Sequence, residues 1–513
     1  MSHNIKKINH LIETLGYEEA FLYLKQIPLD KINSKILEIF LRVCKNTCKH
    51  QFAFNLLEQL STKLNGDLIF LYQKALFLKD YGFVLRSVQI LNGLRKKNIH
   101  PEEKKKIFYL IGEILWKSNR FRLALKFYLF FQNKYPNETQ ITHNILICHS
   151  NLGNLDGVFS QLNILKKIHE FDCSEAYRIV SQLKKFTHSS DPFIDEVKSL
   201  LAKDLNTNSK SQLLFALGKV FEDLSDYKQS ANYYIEANKL KNIECSNFSI
   251  QKKIDQFDNL KKIFDKKFTE SNKISNPCKS VFIIGMPRSG TTLLENILSS
   301  CEQMTPGGEL STYSKYFNLI YQYRFNNNYE NFKNNITEKD LDDIGKSYNS
   351  EINTMFKGNY IINKLPHNFL YTGFISRSFA NTKIIHCTRD KNDVLLSIYK
   401  NFFHGPLLDF VYQTENLKNY YQFYLDVMTY WSSVLDDNSI FEINYEKLID
   451  KPEDELQLLF NYLEIEFDKK YLEFYKSSKG IKTLSLSQAN KKIYKDSKYK
   501  WKLYEQYIPE LFS

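Results

Sequence analysis

Residues 280–300, SVFIIGMPRSGTTLLENILSS, restrict the fold more than any other stretch of the chain. An apolar run of strand length meets a loop with Gly285 and Gly290 at G-x-x-x-x-G spacing, and an apolar-periodic helix follows at once. A strand, a tight glycine loop and a helix in that order form the opening unit of a parallel sheet. The runs VFIIG, YIINK, TKIIHCTR and IFEINY recur between helical segments, so residues 276–513 are expected to form an α/β domain, a parallel sheet with helices on both faces. The loop amides and the positive end of the following helix suit an anion. Nucleoside triphosphate loops of this spacing place a lysine where this chain has Thr291, and Arg288 stands earlier in the loop. A phosphate held by amides and hydroxyls fits such a loop better than a triphosphate held by lysine and magnesium.

Residues 1–250 follow a different grammar, helical throughout and partly repeated. IFYLIGEILWKSNRFRLALKFYLFFQNKYPN sets Gly112, Phe121, Ala124, Tyr128 and Pro136 at the offsets of a tetratricopeptide repeat (TPR). FALGKVFEDLSDYKQSANYYIEANKLKN does so with Gly218, Phe221, Tyr227, Tyr234 and Ala237, and LGYEEAFLYL opens a similar unit at Gly16, Tyr17 and Ala20. Small residues let paired helices approach and aromatics fill the gaps, which is how a helical solenoid is built. Residues 251–275, lysine-rich, read as a helical linker. No apolar run is long enough to span a bilayer, and the N-terminal residues carry charges throughout, so a cytoplasmic location is expected.

The loop and its surroundings are similar to a known family. GMPRSGTTLLENILSS resembles the 5′-phosphosulfate loop of sulfotransferases that use 3′-phosphoadenosine 5′-phosphosulfate (PAPS). Its arginine form resembles the protein-tyrosine branch and the bacterial sulfotransferases fused to TPR units. IIHCTRDKNDVLLSIYKNFF, a strand ending in Arg389 and a helix carrying Ser397, is similar to the segment that grips the 3′-phosphate. The resemblance implies an N-terminal all-helical TPR solenoid followed by a P-loop-like α/β sulfotransferase domain, with PAPS as co-substrate and no metal. It assigns Arg288, Ser289, Gly290, Thr291, Thr292, Arg389, Ser397, Tyr445 and Lys500 to the cofactor. It makes Glu309 the general base, with Arg288, Lys364 and Ser485 stabilising the transferring group. The C-terminal register reads QANKKIY and SKYKW where the fused bacterial family usually shows Q-V-R-x-P-I-Y and S-V-G-R-W, so Asn490, Lys492, Tyr499 and Lys500 are departures.

The chemistry asks for these residue types. Moving SO3 between oxygens needs both positioned, cations on the leaving bisphosphate, and a base for the acceptor hydroxyl. The net charge of +12 agrees with an anionic ligand, although lysine is abundant everywhere. The stretch KTLSLSQANKKIYKDSKYKWK would read alone as a nucleic-acid surface, but adenine and two phosphates satisfy the same chemistry, so no nucleic-acid partner is expected. Eight scattered cysteines, with only Cys44 and Cys48 close, read as idle or buried thiols, and His386 and Cys387 as packing residues. The Asn-rich run 321–336 reads as a loop. A protein or peptide acceptor delivered by the repeats, with a tyrosine as the leading candidate, competes with a glycan or lipid acceptor. A nucleotide kinase or NTPase using the same loop, or a TPR scaffold with an inactive sulfotransferase fold, stay open as alternatives.

Overall fold

The structure, a computed structural model, describes residues 2–513 apart from 48, 65, 81–82, 119, 137, 169–171, 246–247, 269–279, 326–327, 357, 404–405 and 477–497. From Ser2 to Glu244 the described residues form successive helices that pack largely as antiparallel neighbours. The repeat register is visible in the packing. Gly112 lies against the ring of Tyr128 and Gly218 against the ring of Tyr234, each sixteen residues on in the partner helix, where any side chain on the glycine would collide with the ring. A Cβ at either position would force the helix pair apart. Side-chain caps start several of these helices, among them Asn206 accepting from the Ser209 amide and Asp226 from the Gln229 amide.

The C-terminal half is built on five parallel strands, β1 (Ser280–Gly285), β2 (Met304–Gly308), β3 (Tyr360–Lys364), β4 (Lys383–Thr388) and β5 (Ile440–Asn444), in the order β2-β3-β1-β4-β5. Helix α1 (Thr291–Ser299) follows β1, α2 (Lys391–Tyr399) follows β4 and α3 (Tyr445–Asp450) follows β5. The sheet is covered on both faces, as an all-parallel sheet must be. Val281 and Ile283 point into a core with Leu294 and Ile297 of α1, while Phe282 and Ile284 point into the opposite core. That second core continues without a break into Leu214, Phe215 and Tyr234 of the last repeat pair.

Three readings of the sequence change here. The strand MTPGG, β2, has no apolar alternation and is broken by Pro306 and two glycines, so it escapes a pattern search. The Asn-rich run is largely helical: one helix covers Thr312–Arg324 and another Tyr329–Asn335, and Phe325 and Phe332 are buried against each other at 5.1 Å. The aromatic spacing, not the asparagines, carried the signal there. The lysine-rich segment forms helix Ile250–Lys267, whose Phe257 and Phe264 pack edge-on against Trp431 at 5.6 and 5.0 Å. This helix is part of the C-terminal core, each buried aromatic contributing roughly 1.5–3 kcal/mol. Among the described residues, no helix is long and apolar enough to cross a membrane.

Candidate active site

The loop after β1 is fastened at several points. Arg288 sits at φ 71°, a left-handed conformation that few non-glycine residues adopt, and its Nε donates to Ser397 Oγ on α2 at 2.9 Å. Arg389, at the end of β4, donates from its guanidinium to the Arg288 carbonyl at 3.1 Å and lies over the ring of Tyr445, 4.5 Å from its centre. Tyr445 in turn packs on Gly290, which holds φ 104° and has no room for a side chain. Thr291 and Thr292 are buried at the start of α1. The Ser289 hydroxyl is buried as well, with no hydrogen-bond partner among the described residues. A buried hydroxyl left unsatisfied in a loop at a helix N-terminus is what a bound phosphate oxygen would complete.

Next to the loop, Lys364 ends β3 in register with Ile283 of β1. It is 1 % exposed, and its Nζ donates to Glu309 Oε1 at 2.6 Å, the glutamate side chain being 52 % exposed. The lysine is thus fixed from beneath and the carboxylate faces outward. Below them lies Glu295 of α1, fully buried, accepting the Gly308 amide at 2.9 Å. That bond ties α1 to the residue before Glu309. Burial pushes the imidazole of His367, on the turn after β3, down to about 4, against the pull of Glu309.

Burial pushes Glu295 up to about 7 from about 4.5, with Lys364 and the Gly308 amide drawing it the other way. The folded protein therefore holds this proton more tightly than the unfolded chain, and stability falls as pH rises through that window. Glu295→Gln removes the dependence. Relative to the native chain the variant should gain up to about 3 kcal/mol by about pH 8 and nothing near pH 4, measured by urea melts at both ends. A difference that does not change with pH would mean that folding leaves the pKa of Glu295 where it is in the unfolded chain.

A third group comes from the last repeat. Lys400, one residue past α2 and three past Ser397, pairs with Glu222 of helix Thr207–Asp223 at 2.7 Å. Burial pushes the Glu222 carboxyl up and Lys400 more than offsets it, so it is held below the usual range; Lys500 also acts on it. Burial pushes Lys400 down, and both Lys500 and Arg288 repel it. Lys500 is set by Asp393 of α2, which accepts the Tyr499 and Trp501 amides at 2.5 and 3.3 Å. Three cations thus converge on α2 and the loop, with one carboxylate from the repeat region among them.

The structure brings together Arg288, Ser289, Gly290, Arg389, Ser397 and Tyr445, and separately Glu309 with Lys364. Ser485, Asn490 and Lys492 lie outside the described residues. Sequence reasoning missed Glu295, His367, Asp393, Lys400 and Glu222. Glu295 had a signal, a lone acid in the otherwise apolar helix TTLLENILSS; Glu222 had none, because its partner is 178 residues away.

A parallel sheet with a glycine loop at the end of its central strand, and cations gathered around that loop, defines an α/β domain of the P-loop-like kind. Residues 280–469 match the sulfotransferase family, so the C-terminal region carries a sulfotransferase-family domain. An uncharacterized protein of Aquifex aeolicus (strain VF5) is 30% identical over 384 residues, 69% of this chain and 49% of the relative. A putative protein-tyrosine sulfotransferase of Caenorhabditis briggsae is 26% identical over 214 residues, 39% of this chain and 71% of that protein. The chain thus spans about half the length of the first of these relatives. Among solved structures, the sulfotransferase domain of the Synechococcus PCC 7002 olefin synthase aligns at 18% identity and a TM-score of 0.34, over 46% of this chain and 90% of that one.

Proposed function

We propose that the protein transfers a sulfuryl group from PAPS to an acceptor hydroxyl, with Glu309 as general base. The observation that carries this reading is the outward-facing Glu309 held by buried Lys364 at the end of the strand beside the anion loop. The loop fits the donor on two counts, the unsatisfied Ser289 hydroxyl and the second cation group of Arg389 and Lys500 beyond it.

PAPS, when bound, supplies the sulfuryl group and retains both phosphates. Arg288, Ser289, Thr291 and Thr292 would hold the 5′ end, Arg389, Ser397 and Lys500 would hold the 3′-phosphate, and Tyr445 would flank the adenosine. Glu309 takes the proton from the acceptor hydroxyl as that oxygen forms its bond to sulfur. Lys364 fixes the carboxylate and, with Arg288, offsets the negative charge that builds during transfer. The acceptor we assign is a peptide tyrosine, in keeping with the match to the putative tyrosine sulfotransferase.

Adenosine 3′,5′-bisphosphate should bind without magnesium and at least about tenfold more tightly than AMP, because the 3′-phosphate adds charge-assisted contacts worth roughly 1.5–3 kcal/mol each. Arg389→Ala should erase the difference. Calorimetry giving equal affinities for the two nucleotides, or binding of ATP that requires magnesium, would replace this reading with a nucleotide kinase or NTPase. Incubation with radiolabelled PAPS and a cell extract then separates protein, glycan and lipid acceptors. Label outside protein would overturn the tyrosine assignment alone.

A further inference from the structure

Far from the loop, a second surface has the makings of a binding site. Helices Leu68–Asp80 with Val84–Leu94, and Pro101–Lys117 with Phe121–Lys134, form two successive pairs. Between their second helices runs a groove of about 290 Å³. All of its lining except Leu115 comes from those second helices or the residue that ends one of them. Leu85, Leu123, Phe127 and Phe130 make it apolar, and Phe130, Leu85 and Leu123 are large hydrophobics left exposed, at 52%, 53% and 44%. Two cations line it, Arg95 and Lys126, and no acid does.

The charge around the groove is lopsided. Residues 84–134 hold twelve lysines and arginines against three acids, a net +9 in a chain whose total is +12. Ion pairs within the described residues engage Arg86, Lys105 and Lys117, and leave Arg95, Lys96, Lys97, Arg122 and Lys126 without an acidic partner. An exposed apolar groove inside a cationic field is complementary to one kind of ligand surface, apolar side chains flanked by carboxylates.

We propose that this groove docks an acidic peptide segment, one or two of whose apolar side chains enter it while its carboxylates meet Arg95 and Lys126. A single-stranded nucleic acid fits less well. The Arg95 guanidinium already lies over Phe108, Phe127 and Phe130, at 4.6, 5.7 and 5.6 Å from their centres, and so covers the aromatic faces on which bases would stack. A lipid surface also fits less well, since a concave groove takes individual side chains and a bilayer does not supply them. The proposal does not rest on the sulfotransferase reading. It concerns the second helices of these two pairs, whatever the loop after β1 transfers.

The test uses the full-length chain and fluorescein-labelled synthetic peptides in fluorescence anisotropy. The first peptide carries leucine and phenylalanine at helical spacing among glutamates; a second has every glutamate changed to lysine, and a third has every leucine and phenylalanine changed to serine. The first should bind, and both others should bind at least about tenfold more weakly. Lys126→Glu and Phe130→Ser, both on exposed positions, should each lower affinity for the first peptide by about tenfold or more with an unchanged melting temperature. Affinity should also fall as salt rises. Equal binding by native chain and Lys126→Glu would overturn the proposal, as would equal binding of the serine peptide. It would also fall if oligo-dT or phosphatidylserine vesicles bound more tightly than the peptide, with the same sensitivity to Lys126→Glu. Self-association lost in Phe130→Ser would assign the groove to a second copy of this chain and equally overturn it.

Discussion

Glu309→Gln is expected to lose about 10²–10⁴-fold in sulfuryl transfer while binding adenosine 3′,5′-bisphosphate as the native chain does. Glutamine keeps the size of the side chain and can still accept the Lys364 hydrogen bond through its carbonyl, so the change tests proton acceptance with little disturbance of shape. The geometry predicts this split because Lys364 is the buried member of the pair and the carboxylate, half open to solvent, is the member that an acceptor can reach. Calorimetry with the bisphosphate and single-turnover transfer from radiolabelled PAPS to a tyrosine peptide measure the two halves separately. Near-normal turnover would put the base elsewhere. Lys364→Met supplies the contrast, since it frees the carboxylate from its partner and should slow turnover without removing the base.

The other large effect concerns where the catalytic unit begins. A chain starting at residue 265 keeps the whole family match yet should fail to fold cooperatively, because it lacks Phe257 and Phe264, which flank Trp431, and the whole of the last repeat. The losses are specific. Glu222 no longer neutralises buried Lys400, Ser230 no longer meets the Tyr504 hydroxyl at 2.9 Å, and Asn238 no longer donates to the Tyr399 carbonyl at 2.9 Å. The apolar side chains that packed on Leu214, Phe215, Tyr234, Phe257 and Phe264 are opened to water at roughly 1.5–3 kcal/mol each, a large share of the 5–15 kcal/mol typical of a whole domain. A chain starting at residue 172 keeps all of these, together with Arg178 stacked on Phe402 at 5.1 Å, and should melt as one transition and bind the bisphosphate. Scanning calorimetry of the two fragments decides the matter. A sharp transition in the shorter one would show the interface to be dispensable.

Much of this was legible before any coordinates. Both strands flanking the loop strand, the loop, and the Arg288 and Arg389 positions are local signals, a period of apolar residues or a spacing of glycines. The Gly112–Tyr128 and Gly218–Tyr234 contacts agree with the repeat spacing for the same reason, since each pair lies within one helix hairpin. What was illegible is long-range. Arg288 meeting Ser397 could not be read from spacing, and neither could Lys400 meeting Glu222, because burial of charge is set by which elements pack together. β2 hid for another reason. Its backbone pairs with β3 although its residues, MTPGG, have poor strand propensity, so tertiary pairing overrides the local preference.

The merging of the last repeat pair with the core of the sheet divides the array into a fixed end and a free end. Repeat proteins change length by gaining or losing units, each addition needing only neighbours that match. Here one neighbour is the sheet domain, so the pair from Thr207 to Glu244 cannot be exchanged without rebuilding the surface that holds α2. Units added or removed before Ser174 should therefore be tolerated best, since that stretch lies outside the core shared with the sheet.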